Sequence, residues 1–152
     1  MPETRKRRPV ARILIVDDHD LVRAGLRNLL TGERDLDLVG EAATGREAVA
    51  LCRRLRPDLV LMDVRMPDMD GFAVTRAIHE DFPGAKVLLF TLAETAEYVG
   101  QSLQVGAVGY VLKGAPRHEL LAAIRRAISG VSSEPLTGER DSAKRRRRPP
   151  RA

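Results

Sequence analysis

Between residues 12 and 130 the chain alternates short apolar runs with longer amphipathic stretches, five times over. No other property of the sequence restricts its fold as strongly. The runs at 12–16, 36–42, 59–62, 86–90 and 108–112 have strand length, and the stretches near 20–30, 45–55, 71–81, 95–104 and 116–129 carry apolar residues at helical spacing. In the last stretch Leu120, Leu121, Ile124, Ala127 and Ile128 form one stripe, with Arg125 and Arg126 off it. Three runs (ILIV, LVLM and VLLF) are apolar on successive residues, as in strands that helices cover on both faces. Five βα units of about 20–25 residues predict an α/β fold, an open doubly wound parallel sheet of five strands with right-handed crossovers.

Breakers fall between these units. Gly32 follows the first helical stretch, Pro57 the second and Pro83-Gly84 the third; Pro116 suits a first helical position, and Asp20 is the N-cap candidate for the first helix. From Ser129 onward the periodicity stops. SGVSSEPLTGERDS is small and polar and KRRRRPPRA is low-complexity and basic, so disorder is expected there. The expected organisation is a basic N-terminal tail at 1–10, a folded domain at 11–130 and a basic C-terminal tail at 131–152.

The net charge of +5 belongs to the tails: residues 1–9 carry +3, residues 132–152 carry +4, and residues 10–131 carry −2. A basic run is most often a solvated segment, and weak non-specific contact with nucleic acid is its other expected use. Aromatic residues make up only 3% of the chain, which leaves no base-stacking platform for single strands. The single Cys52 forms no intramolecular disulfide and fits a reducing cytoplasm. No apolar run approaches the roughly 20 residues of a membrane span, and no signal-type hydrophobic region follows the basic N-terminus, so a cytoplasmic location without a membrane partner is expected. Gly106 and Gly109 form no dinucleotide or P-loop pattern.

In an open parallel sheet, ligands bind beyond the carboxyl ends of the strands. Four of the five strands place a polar residue there: Asp17-Asp18 after the first, Asp63 after the third, Thr91 after the fourth and Lys113 after the fifth. Three converging carboxylates repel one another unless a hard cation sits among them, and all-oxygen ligation favours Mg2+. Phosphoryl transfer needs little besides positioning and stabilisation of three equatorial oxygens. A metal, the Lys113 ammonium, and a hydroxyl or backbone amide would supply that. Asp63 is the natural nucleophile, because it ends the central strand ahead of a loop shaped by Pro67 and Gly71. His19 beside the acidic pair reads first as a solvated loop residue; His79 and His118 read as surface residues.

The segments ILIVDDHD, LVLMDVRMPDMDGF, LLFTLA and GYVLKGAP resemble, in order, the four motif blocks of the response-regulator receiver family over about residues 12–130. That resemblance implies a flavodoxin-like sheet flanked by five helices and a phosphoacceptor switch in a two-component phosphorelay, with no metabolic activity. It implies that Asp63 is phosphorylated, that Asp17, Asp18, Asp63 and the backbone carbonyl of Arg65 hold Mg2+, and that Thr91 and Lys113 stabilise the phosphoryl group. Thr91 and Tyr110 would act as the switch pair. A sensor histidine kinase is the implied donor. Dimerisation or partner binding through the face of the fourth helix, fifth strand and fifth helix is the implied output. DDH and the run GAVGYVLKGAPRHELLAAIRR look most like the branch that carries a LuxR-type helix-turn-helix domain. EPLTGERDS resembles the opening of that domain, so loss of the output domain by truncation or frameshift, or a partial sequence, is expected. No recognition helix is present, and sequence-specific DNA binding by this chain alone is not expected. In many receivers a proline directly follows the lysine, whereas Gly114 stands there in this chain.

Two other classes remain open on the residues alone. A magnesium-dependent phosphatase using an aspartyl-phosphate shares the acid-plus-metal chemistry, though that class usually carries Asp-x-Asp after the first strand, whereas here the pair is adjacent and Asp63 is followed by Val-Arg. A protein held on DNA by its basic tails would show steeply salt-dependent binding.

Overall fold

The computed structural model describes residues 10–64, 70–91, 100–101 and 103–130. Its strands are β1 (Ala11–Val16), β2 (Leu36–Ala42), β3 (Leu59–Asp63), β4 (Lys86–Thr91) and β5 (Gly109–Leu112), and its helices are α1 (Asp20–Thr31), α2 (Gly45–Leu55), α3 (Gly71–Asp81) and α4 (Arg117–Ser129). The strands form one parallel sheet in the order β2-β1-β3-β4-β5. The expected doubly wound α/β architecture is therefore present. Four helices are described in place of the five expected. Most of the stretch 95–104 lies outside the described residues, although Gly100, Gln101, Leu103 and Gln104 are helical.

The successive apolar residues of the strands are sorted by pleat. Ile13, Ile15, Leu59, Leu61, Leu88, Phe90 and Val111 pack on one face with Leu26, Leu29 and Leu30 of α1 and Leu120, Leu121 and Ile124 of α4. Leu14, Val16, Val60, Met62, Val87, Leu89 and Tyr110 pack on the other with Ala48 and Cys52 of α2 and Phe72, Val74 and Ile78 of α3. Side chains alternate faces along a strand, so a run apolar at every position fits only a sheet covered on both sides.

Local signals set most helix ends. Thr44 and Glu47 form a reciprocal capping box at α2, with Thr44 accepting from Glu47 N at 3.1 Å and Glu47 accepting from Ala43 N at 2.8 Å. Asp70 caps α3 by accepting from Phe72 N. Two expectations need correction. His19, not Asp20, is the N-cap of α1, and it makes no side-chain cap hydrogen bond because its ring turns back to Asp17. Pro116 lies one position outside α4, extended at φ −64° and ψ 158°, with its carbonyl accepting from Glu119 N and Leu120 N.

Cys52 is fully buried, and burial pushes its thiol up to about 11. The folded chain therefore holds this proton more tightly than the unfolded chain does. The associated stability is present below about pH 9 and lost as pH rises through about 11. The native thiol is expected to resist iodoacetamide at pH 8.5 and to react at a rate set by unfolding. Denaturant-independent labelling as fast as in a free peptide would contradict the burial.

Candidate functional site

The order β2-β1-β3-β4-β5 reverses direction between β1 and β3, which opens a crevice at the carboxyl ends of those strands. The pleat that sorts the core also sorts the polar residues. Asp17 continues the face of Ile13 and Ile15, Asp63 that of Leu59 and Leu61, and Lys113 that of Val111. All three arrive on the α1–α4 side of the crevice. Lys113 Nζ stands 2.9 Å from Asp17 Oδ2 and 3.4 Å from Asp63 Oδ2, with its side chain 8% exposed. It also lies 5.7 Å from the centroid of the Phe90 ring, which walls the stem on one side. Thr91 has the opposite parity, on the face of Val87, Leu89 and the buried Tyr110. In the β4–β5 register Leu89 faces Tyr110 and Thr91 faces Leu112, so Thr91 and Tyr110 are diagonal neighbours on one side of the sheet.

Asp17 is 1% exposed and Asp63 5%, which is costly for two carboxylates unless they are matched by positive charge. Asp17 Oδ1 accepts from His19 N at 2.9 Å and lies 3.0 Å from His19 Nδ1, while the Asp17 carbonyl accepts from Arg23. His19 Nδ1 is also 3.2 Å from Asp18 Oδ1. His19, 60% exposed, is a solvated residue as expected, and its ring also contacts both members of the acidic pair, which its adjacency in DDH allows. Phe90 as the wall for Lys113 had no sequence signal beyond its parity.

Asp17, Asp18, His19 and Asp63 each bring a possible ligand atom within 4.8 Å of the others. Asp17 Oδ2 and Asp18 Oδ1 are buried without a directed hydrogen bond, although each has an ionic neighbour, Lys113 and His19 respectively. Three carboxylates and one ammonium leave a net charge of two negative with His19 neutral. That charge, and the mostly oxygen donor set, fit a hard divalent cation such as Mg2+. Arg65 and Pro67, the expected carbonyl ligand and one of the loop-shaping residues, lie outside the described residues.

Gly71, the other residue expected to shape the loop, is described. Its N–H donates to the Val64 carbonyl at 2.9 Å, and a Cβ built on it would stand 2.3 Å from that same oxygen. Residue 71 approaches the Val64 carbonyl this closely because it has no side chain. Beside Lys113, an apolar groove of about 300 Å³ runs between α1 and α4, lined by Leu21, Gly25, Leu29, Phe90, Lys113 and Arg117 among others. Leu21 at its rim is 84% exposed.

Residues 13–125 match the family model described as the response regulator receiver domain. The chain is 41% identical over 119 residues to response regulator GacA of Pseudomonas aeruginosa, covering 78% of this chain and 56% of that protein. It is 40% identical over 121 residues to response regulator protein VraR of Staphylococcus aureus, covering 80% and 58%. The chain thus spans little more than half the length of these curated relatives. Among solved structures, a LuxR-family two-component response regulator from Aurantimonas superposes with a TM-score of 0.82 at 34% identity, over 90% of this chain and 98% of that one. The signal receiver domain of the NarL regulator of Mycobacterium tuberculosis gives 0.77 at 35% identity, over 80% and 98%.

Proposed function

This chain belongs to the response regulator receiver family, and from that premise we propose that residues 11–130 form a phosphoacceptor switch loaded on Asp63 by a histidine kinase. One observation carries the reading: the buried Asp63 carboxylate shares a single ammonium with Asp17, inside a carboxylate cluster whose charge suits a divalent cation. A phosphatase using the same chemistry is disfavoured by the family match.

In this reading an Asp63 oxygen attacks the phosphorus of a phosphohistidine. A P–O bond forms, the P–N bond breaks, and the leaving imidazole takes its proton from solvent. Asp17, Asp18, Asp63 and the carbonyl of Arg65 would hold Mg2+, which when bound neutralises charge on the incoming phosphoryl oxygens. Lys113 is 3.4 Å from Asp63 and needs only a small shift from Asp17 to pair with a phosphoryl oxygen. The Thr91 hydroxyl would take another, and Thr91 would be drawn toward the site. Tyr110, its diagonal neighbour, would then repack, which transmits the change to the β4–β5 edge where a partner or a second copy could bind. The groove under Leu21 opens beside Lys113 and would seat the donor protein.

The test is to incubate the protein with Mg2+ and acetyl phosphate, or with a phosphorylated histidine kinase, and to measure intact mass. One phosphoryl adduct, labile at alkaline pH, is expected. No adduct with any donor would overturn the assignment. Lys113→Ala is expected to accept phosphoryl but respond weakly, because the phosphoryl group no longer moves the ammonium. Without the ammonium, Asp17 and Asp63 lose the cation they share, so this variant should lose about 2 kcal/mol of stability in EDTA and regain much of it with Mg2+. Thermal melts with and without Mg2+ check this, and equal losses in both buffers would count against the shared-cation arrangement.

A further inference from the structure

His19 has no part in the phosphoryl transfer set out above, yet its ring is aimed at the crevice. It stands at the N-cap of α1, where Ser, Thr, Asp or Asn ordinarily accepts a hydrogen bond from the first turn, and it makes no such bond. Its backbone is fixed on both sides. His19 N donates to Asp17 Oδ1 at 2.9 Å, and its carbonyl accepts from Arg23 N at 3.1 Å. Arg23 in turn donates to the Asp17 carbonyl and pairs with Asp20 and Glu41, so the turn from 17 to 20 is tied down. An imidazole launched from that turn reaches a defined point, against the acidic pair.

There Nδ1 stands 3.0 Å from Asp17 Oδ1 and 3.2 Å from Asp18 Oδ1. A ring nitrogen carries at most one proton, so it serves one of these oxygens well and leaves the other short. Asp17 Oδ1 already has the His19 N–H, whereas Asp18 Oδ1 is buried with no hydrogen-bond partner. A histidine acting only as a hydrogen-bond donor explains the first distance and leaves the Asp18 oxygen orphaned, which a buried polar atom seldom is. A dication satisfies both carboxylates at once. Adjacent donors about 2.1 Å from an octahedral ion stand about 3.0 Å apart, and the two separations lie close to that spacing. Asp63 brings a ligand atom within 4.8 Å of the same group.

We propose that His19 Nδ1 is a ligand of the divalent cation in place of one of its waters, and that the site therefore favours first-row transition ions such as Mn2+ and Co2+ over Mg2+. The inference rests on the cation site proposed above and adds a nitrogen donor to it. Imidazole strengthens binding of transition ions, whereas Mg2+ keeps its preference for oxygen and water. Neutral imidazole adds no charge, so this selectivity comes from the donor atom and not from electrostatics. The side chain is 60% exposed, so the ring swings onto a transition ion, or aside for hydrated Mg2+, without disturbing the core.

The test uses the whole chain and the metals alone. Calorimetric titrations with Co2+ and with Mg2+ compare wild type with His19→Ala, and pulsed electron paramagnetic resonance of bound Mn2+ reads nitrogen coordination directly. Wild type should bind Co2+ at least about tenfold more tightly than Mg2+. His19→Ala should lose about tenfold in Co2+ affinity and keep its Mg2+ affinity within about twofold. Nitrogen modulation of the Mn2+ signal is expected in wild type and should vanish in the variant. If His19→Ala melts lower than wild type, His19→Asn, which retains a polar side chain at the turn, should show the same loss for Co2+ alone. Equal falls in Co2+ and Mg2+ affinity would mean that the ring only orients the carboxylates, and would overturn the proposal. Mn2+ bound to wild type without nitrogen modulation would overturn it too. Wild type that binds neither ion is a different failure: it removes the cation site itself, and a missing phosphoryl adduct in Mg2+ buffer would accompany it.

Discussion

Asp63→Asn is expected to yield no base-labile phosphoryl adduct with either acetyl phosphate or a phosphorylated kinase, a loss beyond detection by intact mass. The amide is nearly isosteric with the carboxylate but carries no anionic oxygen to attack phosphorus. The substitution should not unfold the chain. It removes one of three clustered negative charges and leaves Lys113 its closer partner, Asp17, at 2.9 Å. Melting at or above the wild-type temperature is expected in metal-free buffer, while the stabilisation by Mg2+ should shrink because a ligand is gone. A residual adduct mapped by peptide mass to Asp17 or Asp18 would show that the crevice is right and the acceptor wrong. An adduct still at the peptide holding position 63 would sink the assignment outright.

Much of this site was legible because pleat and topology do the positioning. Once the runs ending at Val16, Met62, Phe90 and Leu112 are read as parallel strands, the residue after each must lie at one rim of the sheet. Asp17, Asp63, Thr91 and Lys113 stand there with no further assumption. Parity carries more than strand ends alone disclose. It separates the charged trio, on the α1–α4 face, from Thr91 and Tyr110 on the other. Less legible were features set by side-chain direction. Asp20 has the better N-cap chemistry, yet the acidic pair draws the His19 ring away from the helix and the chain enters α1 one residue earlier. Arg56 is another case, since nothing local marks a left-handed arginine held beside Phe82, a residue 26 positions away in sequence. The order β2-β1-β3-β4-β5 is not legible in the sequence either, because right-handed crossovers fix the face on which each helix packs and not which strands are neighbours.

The second large effect falls on Gly71. Gly71→Ala is expected to destabilise the fold by about 3 kcal/mol, a melting decrease of roughly 10 °C, and to slow phosphoryl uptake in the fraction that remains folded. The added methyl would meet the Val64 oxygen at 2.3 Å and the Val64 Cα and carbonyl carbon at 2.7 Å. These are backbone atoms of the residue that follows Asp63, so no rotamer change relieves the clash. Either α3 lifts from the sheet or the chain after Asp63 is pushed outward. Lifting α3 disturbs Phe72 and Val74, both buried in the core on that face, along with the 2.9 Å bond from Gly71 N to Val64. Pushing the chain outward moves Asp63 relative to Lys113, for which 3.4 Å already leaves little reach to lose. The two routes are distinguishable at low temperature, where the variant is folded. A normal uptake rate with a lowered melting point means that α3 yields, whereas a slowed rate, with Asp63 misplaced, means that the loop does. We expect the second, because Val64 lies just past the end of β3 while α3 is anchored along its buried face by Phe72, Val74, Thr75 and Ile78. A variant that melts with wild type and accepts phosphoryl at the wild-type rate would show that the close approach at Val64 is not needed by the site.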